Sequence, residues 1–286
     1  MRGMCGRDED GIIQMRGFKS PLNWYGGKYY MAADIIRLFP RHKVYCEVFG
    51  GAGHILFKKN RSLIEVYNDK HECLYLFFSM LRDEVKRNIL IPKIQLTPYS
   101  RQEFNACRDW ASEPDPIEKV RKFYVMTMQS ISTNGGWAYA RTVSRRGMSG
   151  IVSKWLGNAD ENLIDAIERL REVQIENLDC IECIEKYDSE DTLFYLDPPY
   201  VMDSRSAPGS GYTHEMTDDD HRKLIACILK LKGKVLLSGY DNDIYKELEG
   251  KGWERVKLGE FKKFSDIDRE VATEYIWRNF KEKGII

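Results

Sequence analysis

No stretch of this chain approaches the roughly 18 consecutive apolar residues that a membrane-spanning helix requires, so no membrane partner is expected. Neither charge is in excess, because 44 Lys and Arg stand against 44 Asp and Glu for a formal net charge of +0. Without a global field to draw the protein onto a polyanion, any nucleic-acid affinity must come from a local basic patch. Metal-ligand spacing is equally scarce. Cys180 and Cys183 form half of a zinc-type pair, but no second pair or histidine cluster completes it, and no metal is expected. Cys5, Cys46, Cys73, Cys107 and Cys227 are scattered, with no secretory signal ahead of them, which predicts reduced thiols in a cytoplasmic protein. Internal repeats and low-complexity tracts are also missing.

What is present is an alternation of short apolar runs with longer segments of helical spacing, the signature of a mainly parallel sheet covered on both faces by helices. Strands are predicted at 44–49, 63–67, 193–196, 234–238 and 274–278, the last alternating polar and apolar as an edge or antiparallel strand would. Helices are predicted at 29–38, 73–82, 159–170 and 218–231, the last opened by Thr217, Asp218 and Asp219 as a favourable cap. Residues 89–155 break the rhythm with Pro92, Pro98, Pro114 and Pro116, a helix at 117–130 and a Gly-, Arg- and Trp-rich stretch. The division expected is a flexible leader at 1–15, an α/β domain from 16–88 and 156–286, and an inserted subdomain at 89–155. At 286 residues the chain is long enough for this.

Four motifs carry chemistry. Asp197-Pro198-Pro199-Tyr200 closes the apolar run 193–196 and sets a carboxylate, a carbonyl and an aromatic ring at one strand end. Two prolines fix φ near −65° and offer no N–H, which leaves the Pro198 carbonyl able to accept from a ligand. A planar amine needs such acceptors in order to be alkylated; a plain strand followed by a proline turn would read the same way. Phe49-Gly50-Gly51-Ala52-Gly53 follows a buried-type strand with a loop that lets the backbone approach a ligand, and it lacks the third glycine of the dinucleotide fingerprint. Asn68-Asp69 ends the next strand, where an acid accepts from ribose hydroxyls in doubly wound sheets, or where an Asn-Asp pair merely starts a turn. Asn23-Trp24-Tyr25-Gly26-Gly27-Lys28 precedes the first helix, with a lysine that could meet a carboxylate or only solvent.

A fifth stretch is basic and aromatic. Residues 132–141 include Asn134-Gly135, a pair that favours a tight turn, with Trp137 and Tyr139 on alternate positions. Arg141, Arg145, Arg146 and Lys154 follow as the strongest local basic cluster, either a solvated hairpin or a face for phosphates and guanine edges.

Taken in order, Trp24 to Lys28, Phe49 to Gly53, Asn68-Asp69 and Asp197 to Tyr200 resemble the Dam-type family of DNA adenine methyltransferases, alpha group, from about Pro21 to the C-terminus. The resemblance implies a Rossmann-like fold that binds S-adenosyl-L-methionine, in a bacterial or phage-infected bacterial cell. It implies cofactor contacts at Trp24, Lys28, Phe49, Gly51, Gly53, Asp69 and Asp197, with Asp179 falling where a contact to the cofactor adenine is expected. It implies catalysis by Asp197, Pro198, Pro199 and Tyr200. Asp197 and the Pro198 carbonyl would accept the two hydrogens of the exocyclic 6-amino group of a flipped-out adenine, so that its lone pair points at the sulfonium methyl for direct in-line transfer. Double-stranded DNA would be held by Asn134, Trp137, Tyr139, Arg141, Arg145 and Arg146. Residues 201–216, by their own composition, are either a lid that orders over the extruded nucleotide or a plain surface loop. The insert departs from Dam's own recognition segment, so the site GATC is not implied. RNA or another planar amine as substrate, and a non-catalytic DNA-binding relic of the fold, remain open at this point, and no restriction endonuclease partner can be read from the chain.

Overall fold

A computed structural model describes residues 4–7, 13–15, 18–24, 26–131, 136–201, 215–262 and 271–281. They fall into two compact units: Met1–Tyr29, Gly51–Arg61 and Glu72–Val173 make the first, and Tyr30–Gly50, Ser62–His71 and Gln174–Ile286 make the second.

The second unit is built on a mixed sheet of seven strands. Its strands are β3 (Val44–Glu47), β4 (Ile64–Asn68), β5 (Val173–Glu176), β6 (Thr192–Leu196), β7 (Lys234–Tyr240), β8 (Glu254–Lys262) and β9 (Val271–Arg278). They lie in the order β5-β4-β3-β6-β7-β9-β8. β4, β3, β6 and β7 are mutually parallel, and β9 runs antiparallel to both β7 and β8. This is the Rossmann-like α/β architecture expected. All five residues of β6 are buried, as a central parallel strand requires. Cys46, Phe194, Leu196, Val235 and Leu237 pack with Cys183 and Ile184 of α9 (Cys180–Tyr187), Leu224, Ile225 and Ile228 of α10 (Asp218–Ile228) and Leu248 of α11 (Lys246–Gly250). At roughly 1.5–3 kcal/mol for each large side chain, this cluster dominates the unit's stability. α10 starts with the capping box Thr217/Asp220, and α1 (Ala32–Arg37) is shorter at both ends than the sequence suggests.

The first unit is helical: α2 (His54–Lys58), α3 (Glu72–Arg82), α4 (Glu84–Gln95), α5 (Arg101–Ala106), α6 (Pro116–Gln129), α7 (Gly150–Gly157) and α8 (Leu163–Leu170). It also holds the antiparallel pair β1 (Met4–Arg7) and β2 (Ile13–Met15), inside the segment expected to be a leader.

Two details of the elements differ from a simple reading of the sequence. The insert limits at 89 and 155 both fall inside helices, α4 and α7, because Pro92 does not stop α4. A proline near the end of a helix forfeits only its own N–H, and its carbonyl still accepts from Leu96 N at 2.9 Å. The segment 274–278 is antiparallel, one of the two alternatives expected, and it lies inside the sheet with β8 beyond it. α7 also runs into α8 through a π-helical turn, Asn158–Asn162.

Candidate active site and nucleic-acid interface

In the second unit the parallel strands bring their carboxyl ends to one edge of the sheet. Strand order reverses between β3, which leads to β4 on one side, and β6, which leads to β7 on the other. Such a reversal opens a crevice beyond the strand ends, where doubly wound sheets bind ligands. Phe49 and Gly50 leave β3 there and Asp197 to Tyr200 leave β6, with Val48 N donating to Tyr195 O at 3.2 Å just before the two part.

Asn68 holds three strand ends together. Its buried amide donates to Val48 O at 2.9 Å and Leu178 O at 3.2 Å, and its Oδ1 accepts from Leu178 N at 2.8 Å. Gly50 N donates to Asn68 O at 2.8 Å, and a Cβ at Gly50 would sit 2.2 Å from the Tyr67 ring. Asp69 is half-buried, and its Oδ1 accepts from His71 N at 2.8 Å. Asp179 caps α9, accepting from Ile181 N at 3.1 Å, and pairs with Lys70 at 3.1 Å. Burial pushes its pKa up, but those two partners outweigh it and hold the carboxyl below its usual range.

Asp197 is half-buried, Pro198 is buried and Tyr200 is 7% exposed. The Tyr200 hydroxyl donates to Oε1 of Glu274, a residue of β9 that is itself buried, and its ring meets Tyr240 edge-to-face at 4.6 Å. Burial, then the charges of Asp197 and Glu274, push the Tyr200 pKa far up, so the phenol keeps its proton. Tyr195 and Ser238 share a hydrogen bond of 2.9 Å that ties β6 to β7 beneath.

The first unit carries the other cofactor positions named from the sequence. Gly51 has φ +50°, and a Cβ there would meet Trp24 Cδ1 at 2.8 Å, so only glycine lets the loop lie against the half-buried indole. Gly53, at φ 68°, caps α2. Lys28 is buried and donates to Gly26 O at 3.1 Å. His54 begins α2, and burial, then Lys28, Lys19 and Lys58, lower its pKa to about 4, leaving the ring neutral at physiological pH.

In the basic stretch of the same unit, Ser130 and Trp137 form an antiparallel bridge. Trp137 donates to Gln129 at 3.3 Å, lies 5.5 Å from the Tyr99 ring and carries the Arg101 guanidinium 4.8 Å over its own ring. Tyr139 is 64% exposed. Arg141 and Arg145 are exposed and make no ion pair among the described residues, whereas Arg146 pairs with Glu161 at 3.1 Å. Asn134, Tyr25 and residues 202–214 of the expected lid lie outside the described residues.

Sequence reasoning missed Asn68 as a clamp, and also His54, Arg101 and Glu274. Neither Glu274, one of several polar residues in an alternating strand, nor Arg101, whose partner Trp137 is 36 positions away, had a signal that tied it to the site. Among the described residues no helix is long and apolar enough to cross a membrane, and no three His, Cys, Asp or Glu side chains are grouped to hold a metal.

A family model described as D12 class N6 adenine-specific DNA methyltransferase matches residues 24–260. Modification methylase LlaI of Lactococcus lactis subsp. lactis is 27% identical over 201 residues, 64% of this chain and 30% of LlaI, so the chain spans under a third of that relative. Type II methyltransferase M.MjaIII of Methanocaldococcus jannaschii is 24% identical over 263 residues, 79% of this chain and 86% of that protein.

Proposed function

The chain belongs to the D12 class of N6 adenine-specific DNA methyltransferases, and from that premise we propose that it methylates the exocyclic 6-amino group of adenine within a specific site in double-stranded DNA. One observation carries the reading: Asp197-Pro198-Pro199-Tyr200 leaves β6 beside the glycine-loop strand β3, where the strand order reverses.

S-adenosyl-L-methionine fits the residues present. The loop at Gly50 and Gly51 leaves no room for a side chain, and a buried ammonium at Lys28 suits a carboxylate. Trp24, Lys28, Phe49, Gly51, Gly53, Asp69, Asp179 and Asp197 are the contacts we assign to it. When bound, it supplies a methyl group on an electrophilic sulfonium. Asp197 and the Pro198 carbonyl accept the amine hydrogens and offset the positive charge that grows on nitrogen, an effect typically worth a few kcal/mol, on the order of 10²–10³ in rate. The amine cannot be reached inside a duplex, so the base is flipped at a cost of a few kcal/mol, partly offset by stacking on Tyr200. Trp137, Tyr139, Arg141, Arg145 and Arg146, with Asn134, hold the DNA. The relatives' names, a modification methylase and a type II methyltransferase, support a modification role of this kind for the chain.

Methylation-sensitive sequencing of DNA from cells expressing the chain tests this. N6-methyladenine in one sequence context is expected, lost with Asp197→Asn. Unmodified adenines throughout, beside soluble protein that binds S-adenosylmethionine, would overturn it.

A further inference from the structure

Two residues from two neighbouring strands meet at Tyr200. Tyr240 ends β7, and Glu274 is its directly opposed partner on antiparallel β9. Tyr200, four residues past the end of β6, inserts against both. Its ring meets Tyr240 edge-to-face at 4.6 Å, and its hydroxyl donates to Glu274 Oε1. Glu274 is only 3% exposed and Tyr200 7%. A carboxylate taken out of water at that depth is expensive unless it is hydrogen-bonded, so breaking the phenol bond to Glu274 carries a desolvation cost that favours keeping Tyr200 in place. The two χ angles of Tyr200 are therefore fixed at both ends of the ring, by aromatic packing along its body and by a charge-assisted bond at its tip.

The strand that supplies Glu274 is the one that breaks the parallel sheet. β9 enters between β7 and β8, and the antiparallel register puts Glu274 opposite Tyr240 rather than a residue further down β7. Neither acid nor ring lies in the Asp197-Pro198-Pro199-Tyr200 segment, yet both set where its last side chain stands.

We propose that Glu274 is a positioning residue for methyl transfer, holding Tyr200 in its receiving orientation before a base arrives. This rests on the adenine-methyltransferase reading given above. A platform locked in advance spares the complex the cost of ordering the ring, and small misplacement of a positioning group can cost on the order of 10²-fold in rate.

The test compares Glu274→Gln, Glu274→Ala, Tyr200→Phe and the double variant Tyr200→Phe/Glu274→Ala. Steady-state kinetics are measured on duplex DNA with adenine at the target position, and extrusion is followed separately on the same duplex with 2-aminopurine in its place, whose fluorescence rises when the base leaves the stack. Glu274→Gln keeps an oxygen acceptor for the phenol and is expected to stay within about threefold of wild type. Glu274→Ala is expected to lower kcat/KM for DNA by about ten- to a hundredfold and to reduce the fluorescence rise, with S-adenosylmethionine affinity by calorimetry unchanged. Because the acid acts through the hydroxyl, adding Glu274→Ala to Tyr200→Phe is expected to cost little more. Wild-type extrusion and kcat/KM in Glu274→Ala, or additive losses in the double variant, would overturn the proposal. Should the wild type itself transfer no methyl, the functional reading fails. The lock is then judged by ¹⁹F NMR with fluorotyrosine, where one sharp Tyr200 line that broadens in Glu274→Ala supports it and an unchanged line overturns it.

Discussion

At the scale of single residues, the backbone of the glycine loop decides more than its side chains. Gly51 sits at φ +50° with the Trp24 indole where a Cβ would go. An alanine there must both enter the left-handed region, at roughly 1–2 kcal/mol, and displace the indole. Gly51→Ala is therefore expected to lower stability by about 1–2 kcal/mol in thermal melts and to weaken S-adenosylmethionine binding in calorimetry. Unaltered binding would remove the loop from the cofactor site. His54, three positions on, makes a pH prediction. Its folded pKa, lowered to about 4 from an ordinary 6.5 by burial and then by Lys28, Lys19 and Lys58, means that the unfolded chain binds the extra proton first. Stability should therefore be intact above pH 6.5, fall as pH drops from 6.5 toward 4, and lose no more from this group below 4. Its contribution across that window is about 3 kcal/mol at most. Denaturant titrations from pH 7 to 4 should show the loss in wild type and a shallower slope in His54→Gln; equal slopes would show that the imidazole is not desolvated as described.

At the scale of elements, Asn68 ties the ends of β3 and β4 to the segment after β5 through three hydrogen bonds made by one buried amide. Asn68→Ala would leave Val48 O and Leu178 N and O without these partners, a loss of about 2–4 kcal/mol when buried groups go unsatisfied. Faster hydrogen exchange at Gly50, Asp69 and Leu178 is expected before any change at β7 or β9, and uniform protection would refute the clamp. The same elements show what a sequence can disclose. β3, β4, β6 and β7 were legible because strands buried on both faces read as unbroken apolar runs, as 193–196 does. The capped start of α10 was legible because Thr217 and its following acids are local chemistry. α4 was not, since Pro92 reads as a break unless its neighbours are known, and neither was the continuity of α7 and α8 across a π turn. Of the candidate site, the motif residues could be named from order alone. Glu274 and Arg101 could not be assigned to it, because their significance lies in which ring each touches, and tertiary packing decides that.

At the scale of the whole molecule, charge balance constrains how DNA can be held. With 44 cationic and 44 anionic side chains, no long-range field favours a duplex, and electrostatic binding must be carried by a local cluster of cations. Arg141 and Arg145 are exposed and have no ion pair among the described residues. Arg146 has Glu161 at 3.1 Å, so a phosphate must compete with a carboxylate for it. Each phosphate neutralised contributes about −0.9 to the slope of log K against log salt for duplex DNA. Arg141→Ala and Arg145→Ala are therefore each expected to make that slope shallower by about 0.9, and together by about twice that. Arg146→Ala should change it by less than half as much, because Arg146 is already engaged by Glu161 and so neutralises less phosphate charge. Fluorescence anisotropy with labelled duplex from 50 to 200 mM salt, a range of about tenfold or more in affinity for a protein making several phosphate contacts, resolves these differences. Equal slopes in wild type and in the Arg141/Arg145 double variant would move the DNA face away from this stretch. The slope separates that outcome from a loss of sequence reading: a guanine contact removed would lower affinity for one sequence, whereas a phosphate contact removed lowers it for every sequence alike.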